Sequence, residues 1–302
     1  MRTYGVQLTI AGIRLRLSGL PEPPASWPFD RSYREFLSFP PAHKPVGNDC
    51  LTLTWKCGNL PDIAPATVLF DSDSIWRIMR WQDRLTLVQF DRPVGGQPCQ
   101  IAVVNPDWKR GDLYVRAEVS RRPMPDYNPL GYPLDELLVI HMLAQGRGTL
   151  FHACGLDDNG QGLLFIGESG AGKSTTARLW QELHGVTLLS DDRVIVRRRE
   201  TGYWLCGTPW SGEMETASPR MVRLRHVFLL HHGARNRALP LSPAEVVAQM
   251  VRGAFPPFWD RAGMAFTLSF LAALVATVPC DRLEFVPDNS AVRFVRQRIA
   301  NT

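Results

Sequence analysis

A chain of 302 residues that is 45% apolar and 21% charged has the make-up of a folded globular protein, long enough for one large or two ordinary domains. The net charge of +5 is modest and its basic residues are scattered, which excludes the concentrated stripe of a nucleic-acid-binding surface. Six widely spaced cysteines (Cys50, Cys57, Cys99, Cys154, Cys206 and Cys280) form no C-x-x-C pair. That argues against a disulfide scaffold or thiolate metal site and for free thiols in a reducing cytoplasm.

The first 17 residues alternate apolar and polar positions without a continuous apolar stretch, so they do not read as a signal peptide. Residues 262–280 carry no charge, but they hold Gly263, Thr267, Ser269, Thr277 and Pro279 and are only marginally long enough to span a bilayer. A buried helix is the expectation there, and no membrane partner.

Period-two patterning dominates up to about residue 119. Strands are expected over 6–10 and 13–17 around an Ala11-Gly12 hairpin, and over 51–55. Further strands over 74–81, 85–90, 100–104 and 113–119 read as an antiparallel meander, with turns at Gln82-Asp83, Gly95-Gly96 and Gly111-Asp112. A proline-rich, aromatic excursion over 21–47 interrupts them; its Asp30, Arg31 and Arg34 read as solvated loop charges. The proline-dense segment 121–133 marks a domain boundary. The division expected is a β-rich module over 1–125, suited to substrate recognition, and an α/β domain over 126–302.

The second part opens with a helix over 134–145 whose Leu137, Leu138, His141 and Met142 are spaced for one buried face. A strand over 149–155 and a tight turn over 157–160 lead to a strand over 162–166. Beyond lie a helix over 175–183, with Ala177, Trp180 and Leu183 inward, and a buried strand over 186–190. A hairpin over 193–198 and 203–206 and a loop of small residues over 207–213 follow. The chain closes with a strand over 224–231, a capping box Ser242-Pro243-Ala244-Glu245 opening a helix to about 252, a strand over 283–286 and a helix over 290–299.

The chemistry centres on residues 167–174, Gly167-Glu168-Ser169-Gly170-Ala171-Gly172-Lys173-Ser174, which fit G-x-x-x-x-G-K-[ST] at every position. The motif has the strand–loop–helix context that a phosphate-binding loop requires. Glycines let consecutive N–H groups point into one concavity, and the helix N-terminus adds partial positive charge. Residues 167–175, Thr175 included, are therefore the expected nucleotide cradle. Lys173 is placed to reach the phosphates and the Ser174 hydroxyl to ligate Mg²⁺; Glu168 contributes backbone only.

Asp191 and Asp192 end the apolar strand that follows the loop's helix. Two carboxylates at that strand end suit a metal ligand and an acceptor for the proton of an attacking hydroxyl. His152, on a neighbouring strand, could orient one of them, and Glu213 is a further candidate metal ligand or substrate contact. Arg193 could face phosphate or pair with its neighbours. The run Arg197-Arg198-Arg199 reads as an exposed hairpin end, with a phosphate or peptide contact as the sharper alternative.

The order FHACGL, GLLFIGESGAGKSTTARLW, LLSDDRVIV over the second part resembles the HPr serine kinase/phosphorylase family, whose core is of the phosphoenolpyruvate carboxykinase type. The stretches PLDELLVIHMLAQGRGTLFHACG and GTPWSGE look closer still to the ScmC-like kinases of peptide-modification cassettes. The family's later glycine-rich signature is absent, with GTPWSGE in that region, and the N-terminal module differs from the family's. The resemblance implies Mg²⁺- and ATP-dependent phosphoryl transfer to a hydroxyl, serine first, on a peptide or small protein. It implies Asp191 as the base, His152 assisting, Lys173 and Ser174 on phosphate and Mg²⁺, and Asp192 as a metal ligand. A small-molecule kinase and a non-catalytic nucleotide-binding regulator stay open as alternatives, as does assembly into a homo-oligomer.

Overall fold

In the computed structural model, residues 4–21, 30–39, 49–120 and 128–301 are described. The chain divides into two compact units, residues 1–142 and 143–302. The expected boundary after residue 125 and most of the proline-rich excursion lie outside the described residues.

In the first unit, β1 (Tyr4–Ile10) and β2 (Ile13–Leu20) form a hairpin whose Ala11 and Gly12 both take positive φ, 52° and 80°. Two left-handed residues in succession match the twist of the flanking strands. A 3-10 turn (Arg31–Phe36) leads into the short β3 (Leu37–Ser38). Then come β4 (Cys50–Gly58), β5 (Thr67–Asp71), β6 (Trp76–Trp81), β7 (Arg84–Phe90), β8 (Pro98–Val104) and β9 (Arg110–Arg116). They make one nine-stranded sheet in the order β3-β1-β2-β4-β9-β8-β7-β6-β5.

The expected meander holds over β6–β9, with the unexpected β5 added at its edge, but β4 runs parallel to both its neighbours, β2 and β9. Parallel neighbours need long connections, and both are long here. Gly111-Asp112, expected as a turn, lies inside β9. The turn sits just before it, where the Trp108 N–H donates to the Asn105 carbonyl at 3.0 Å. Gly111 serves close approach instead, since a Cβ there would stand 2.4 Å from the Val103 carbonyl oxygen.

A short helix α1 (Ala117–Ser120) follows, then α2 (Leu134–Ala144). α2 is buried all round rather than on one face. Its polar residues are satisfied internally: Asp135 accepts from the Tyr33 hydroxyl at 2.7 Å, and His141 Nδ1 meets the Leu137 carbonyl at 2.8 Å. The His141 ring also stacks on Trp108. Satisfied this way, the helix needs no wet side.

The second unit starts with β10 (Gly148–Asp158), β11 (Gln161–Ile166), α3 (Lys173–Gln181), β12 (Val186–Ser190), β13 (Arg193–Arg199) and β14 (Gly202–Cys206). It continues with β15 (Met221–His232), β16 (Arg237–Pro240), α4 (Pro243–Gly253), α5 (Arg261–Val275), β17 (Cys280–Phe285) and α6 (Asn289–Ala300). β11, β15 and β17 are parallel, and the other pairings are antiparallel. Because β11 pairs with both β10 and β15, the strands β11-β10-β13-β14-β15 close on themselves. The fold class is mixed α/β.

Strand alternation sends neighbouring residues to two cores. Leu164 and Ile166 of β11 join Val246 and Met250 of α4 and Phe270, Leu271 and Leu274 of α5. Leu163 and Phe165 join Ala177 and Trp180 of α3 and Val292, Val295 and Ile299 of α6. β11, the strand that delivers the glycine-rich loop, is thus gripped on both faces.

Two expectations are corrected here. Asp157 and Asp158 are buried strand residues, not turn residues. Arg220 pairs with Asp157 at 2.9 Å and Arg296 with Asp158 at 2.8 Å, and the turn is Asn159-Gly160 alone. The uncharged segment 262–280 forms a helix only to Val275; it buries Gly263, Thr267, Phe270, Leu271 and Leu274 on one face and exposes Leu268 on the other. Among the described residues no helix is long and apolar enough to cross a membrane. Cys50, Cys154, Cys206 and Cys280 are free thiols.

Candidate functional site

The loop between β11 and α3 takes the conformation its glycines allow. Gly170 and Gly172 have φ of 81° and 103°, in the left-handed region that a side chain disfavours. Gly172 is the N-cap of α3, and a Cβ on it would stand 2.6 Å from the Phe285 ring. The turn is closed by the Ala171 N–H on the Glu168 carbonyl and, at the loop's outer edge, by His232 Nε2, which donates to the Gly170 carbonyl at 2.7 Å. Lys173 is largely buried, and its ammonium donates to the carbonyls of Gly167 at 2.8 Å and Glu168 at 3.1 Å. Burial pulls its pKa below the ordinary lysine value against the opposing pull of Asp192. A helix N-terminus, a curled glycine backbone and a desolvated cation therefore converge on one spot, the donor set an anion of several oxygens needs. Ser174 and Thr175 follow on the first turn of α3, half-buried.

Asp191 and Asp192 part at the end of β12. The Asp191 carboxylate is buried, and its two oxygens accept from the main-chain N–H groups of Gly212 at 2.9 Å and Met214 at 3.0 Å. It ties down the small-residue loop 207–213; a Cβ on Gly212 would stand 2.7 Å from it. Asp192 is the more open of the two. One oxygen lies 2.6 Å from His152 Nδ1 and the other 2.7 Å from Arg193 Nη1. Arg193 Nη1 also stands 3.0 Å from His152 Nδ1. A ring nitrogen carries either a proton or a lone pair, and 2.6 Å to a carboxylate fits a donor. Nδ1 is therefore the protonated nitrogen, Arg193 Nη1 donates its hydrogen bond to Asp192, and His152 Nε2 is left without a partner among the described residues.

Burial would raise the Asp192 pKa, but the His152 hydrogen bond, Arg193 and Lys173 outweigh it and hold the carboxyl below its ordinary value. Asp192 stays ionised through the neutral range. Arg193 is itself steadied by the Phe255 ring, 4.4 Å away.

His152 and residues 167–171 line a cavity of about 1020 Å³ together with His231, His232, Glu245, Gln249 and Arg252. Lys173, Ser174, Asp191, Asp192 and Glu213 lie outside that lining, and His152 joins the cavity to Asp192. Glu213 is turned to solvent, with its carboxylate 3.0 Å from Arg178 on α3. Among the described residues no three His, Cys, Asp or Glu side chains gather to hold a metal ion. Mg²⁺ asks less, one or two protein oxygens with the rest from phosphate and water, and the Ser174 hydroxyl stands on the first turn of α3 next to the loop.

The cavity's α4 side was missed in the sequence. Glu245, Gln249 and Arg252 recur at helical spacing on one polar face, which is the signal that could have found them. The histidines at the end of β15 had none. The chain matches no protein-family model, and no curated protein matches it significantly.

Proposed function

We propose that the second unit is the core of an HPr kinase/carboxykinase-type phosphotransferase of the ScmC-like kind. It moves the γ-phosphoryl group of ATP to a hydroxyl, and a serine of a peptide or small protein is the favoured acceptor. The observation that carries this reading is the loop 167–174, with Lys173 in its bend and the His152–Asp192 pair beside it. Bound nucleotide supplies the phosphoryl group, and Mg²⁺ held by Ser174 and Asp192 would neutralise its charge.

The loop N–H groups and the Lys173 ammonium stabilise negative charge on the transferred group from a partly dry site, where such donors act most strongly. His152 Nε2 accepts the proton of the acceptor hydroxyl as its oxygen bonds to phosphorus and the bond to the leaving phosphate oxygen breaks. Asp192 fixes the imidazole tautomer and balances the charge it gains. A carboxyl held below its ordinary pKa is a weak base but a good partner for cations. The resemblance alone would make Asp191 the base; its bonds to Gly212 and Met214 favour a loop-holding role instead.

The test is transfer from γ-labelled ATP with Mg²⁺ to serine-containing peptides, with nucleotide affinity measured in parallel. Acid-stable label on peptide, lost together with nucleotide affinity in Lys173→Ala, is the expected result. Intact ATP binding with no label on any hydroxyl acceptor would leave a nucleotide-binding regulator.

A further inference from the structure

We propose that a second groove, at the far end of the same strands, binds an acidic peptide segment. It has a volume of about 1330 Å³ and is lined by Arg198 and Arg199 of β13, Arg223 and Arg225 of β15, and Tyr203 and Ile299. Arg223 and Arg225 are two residues apart and so share one face of β15. Arg199 pairs in register with Gly202, where an added Cβ would stand 4.0 Å from the Arg223 guanidinium. The hairpin run singled out in the sequence is thus joined by two arginines from another strand.

Several other arginines of this unit have carboxylates: Arg220 has Asp157, Arg237 has Glu284, Arg296 has Asp158 and Arg298 has Asp281. The four groove arginines are exposed, and none has a carboxylate within ion-pair distance among the described residues. Their contacts are weak ones, Arg199 to the Met221 sulfur at 3.7 Å and Arg225 to the Ile299 carbonyl at 3.4 Å. Glu200 is the one acidic residue of the lining. Four forked cations left open around one concavity match carboxylates, which they bind two-pronged.

The rest of the lining decides between polyanions. Val278, Pro279 and Ile299 give it an apolar side that suits a side chain of a peptide. The Tyr203 ring is buried edge-on against Phe270, so it offers no platform for stacking a base.

The groove is separate from the phosphate loop. Gln161 at the start of β11 lines it, whereas Ile166 at the strand's end lines the other cavity. At about 3.3 Å per residue the strand sets the two roughly 17 Å apart. The inference therefore stands whether or not the chain is a kinase.

The experiment is fluorescence anisotropy on the full chain, with a labelled peptide of Asp and Glu around one Leu, a Lys-substituted counterpart and a single-stranded oligonucleotide of equal charge. Saturable binding of the acidic peptide alone is expected, weakening as salt rises. Affinity should fall by roughly tenfold or more in Arg223→Gln/Arg225→Gln and in Arg198→Gln/Arg199→Gln, the loss of one charge-assisted contact or more. Lys173→Ala should leave it unchanged. Absent binding, wild-type affinity in both double variants, or tighter binding of the oligonucleotide would overturn the proposal.

Discussion

The Asp191 carboxylate takes two main-chain N–H bonds from a loop that arrives 21 and 23 residues later. Removing it strands two half-buried donors, so Asp191→Ala should lower unfolding free energy by about 1–3 kcal/mol, read from urea denaturation. The two aspartates stand out in the sequence by their place after an apolar strand. Which of them is spoken for was not, because the answer lies with Gly212 and Met214, and no local pattern announces them.

A second buried carboxylate carries a pH dependence. Asp281 accepts from His226 at 2.9 Å and from Arg298 at 2.8 Å. Burial would raise its pKa, but those two bonds hold it below the ordinary aspartate value. A carboxyl depressed on folding adds stability that is fully present above the unfolded value and lost as pH falls through the folded one. Wild type should therefore lose stability below about pH 4 faster than Asp281→Asn, a comparison that urea midpoints taken from pH 7 down to pH 2.5 would settle.

At the scale of elements, what the sequence made legible is local. The phosphate-loop motif, the Asn159-Gly160 turn and the capping box all depend on residues within a few positions of one another. The box is realised fully: Ser242 Oγ accepts from the Glu245 N–H, and Glu245 accepts from the Ser242 N–H at 2.9 Å. Ser242→Ala should cost about 1 kcal/mol in thermal unfolding. Long-range choices were hidden. The parallel pairing of β4 depends on where distant segments return, and the all-round burial of α2 depends on Tyr33 and Trp108, far away in sequence. The loop itself gives a sharper test. Gly172→Ala would force a methyl into a left-handed residue and onto Phe285, at a cost of roughly 1–2 kcal/mol for the backbone alone. It should raise the dissociation constant for Mg-ATP well beyond what the stability loss explains, as calorimetric titration would read.

Over the whole molecule, two units come from one chain, and the chemistry-bearing residues all fall in the second. There the parallel strands carry a glycine-rich loop at one end and an open set of arginines at the other. The composition, modestly basic overall, gives no hint of that polarity, because pairing with carboxylates silences other arginines of this unit. In the proposed reaction the His152–Asp192 pair, and not Asp191, serves the transfer step. Its most direct test is the rate of γ-phosphoryl transfer to a serine peptide in Asp192→Asn and Asp191→Asn, each set against its melting temperature. Asp192→Asn should lose about 100-fold or more in rate while melting near wild type, and Asp191→Asn should lose melting temperature first. An Asp191→Asn protein that melts normally yet transfers nothing, beside an Asp192→Asn protein that keeps its rate, would contradict it.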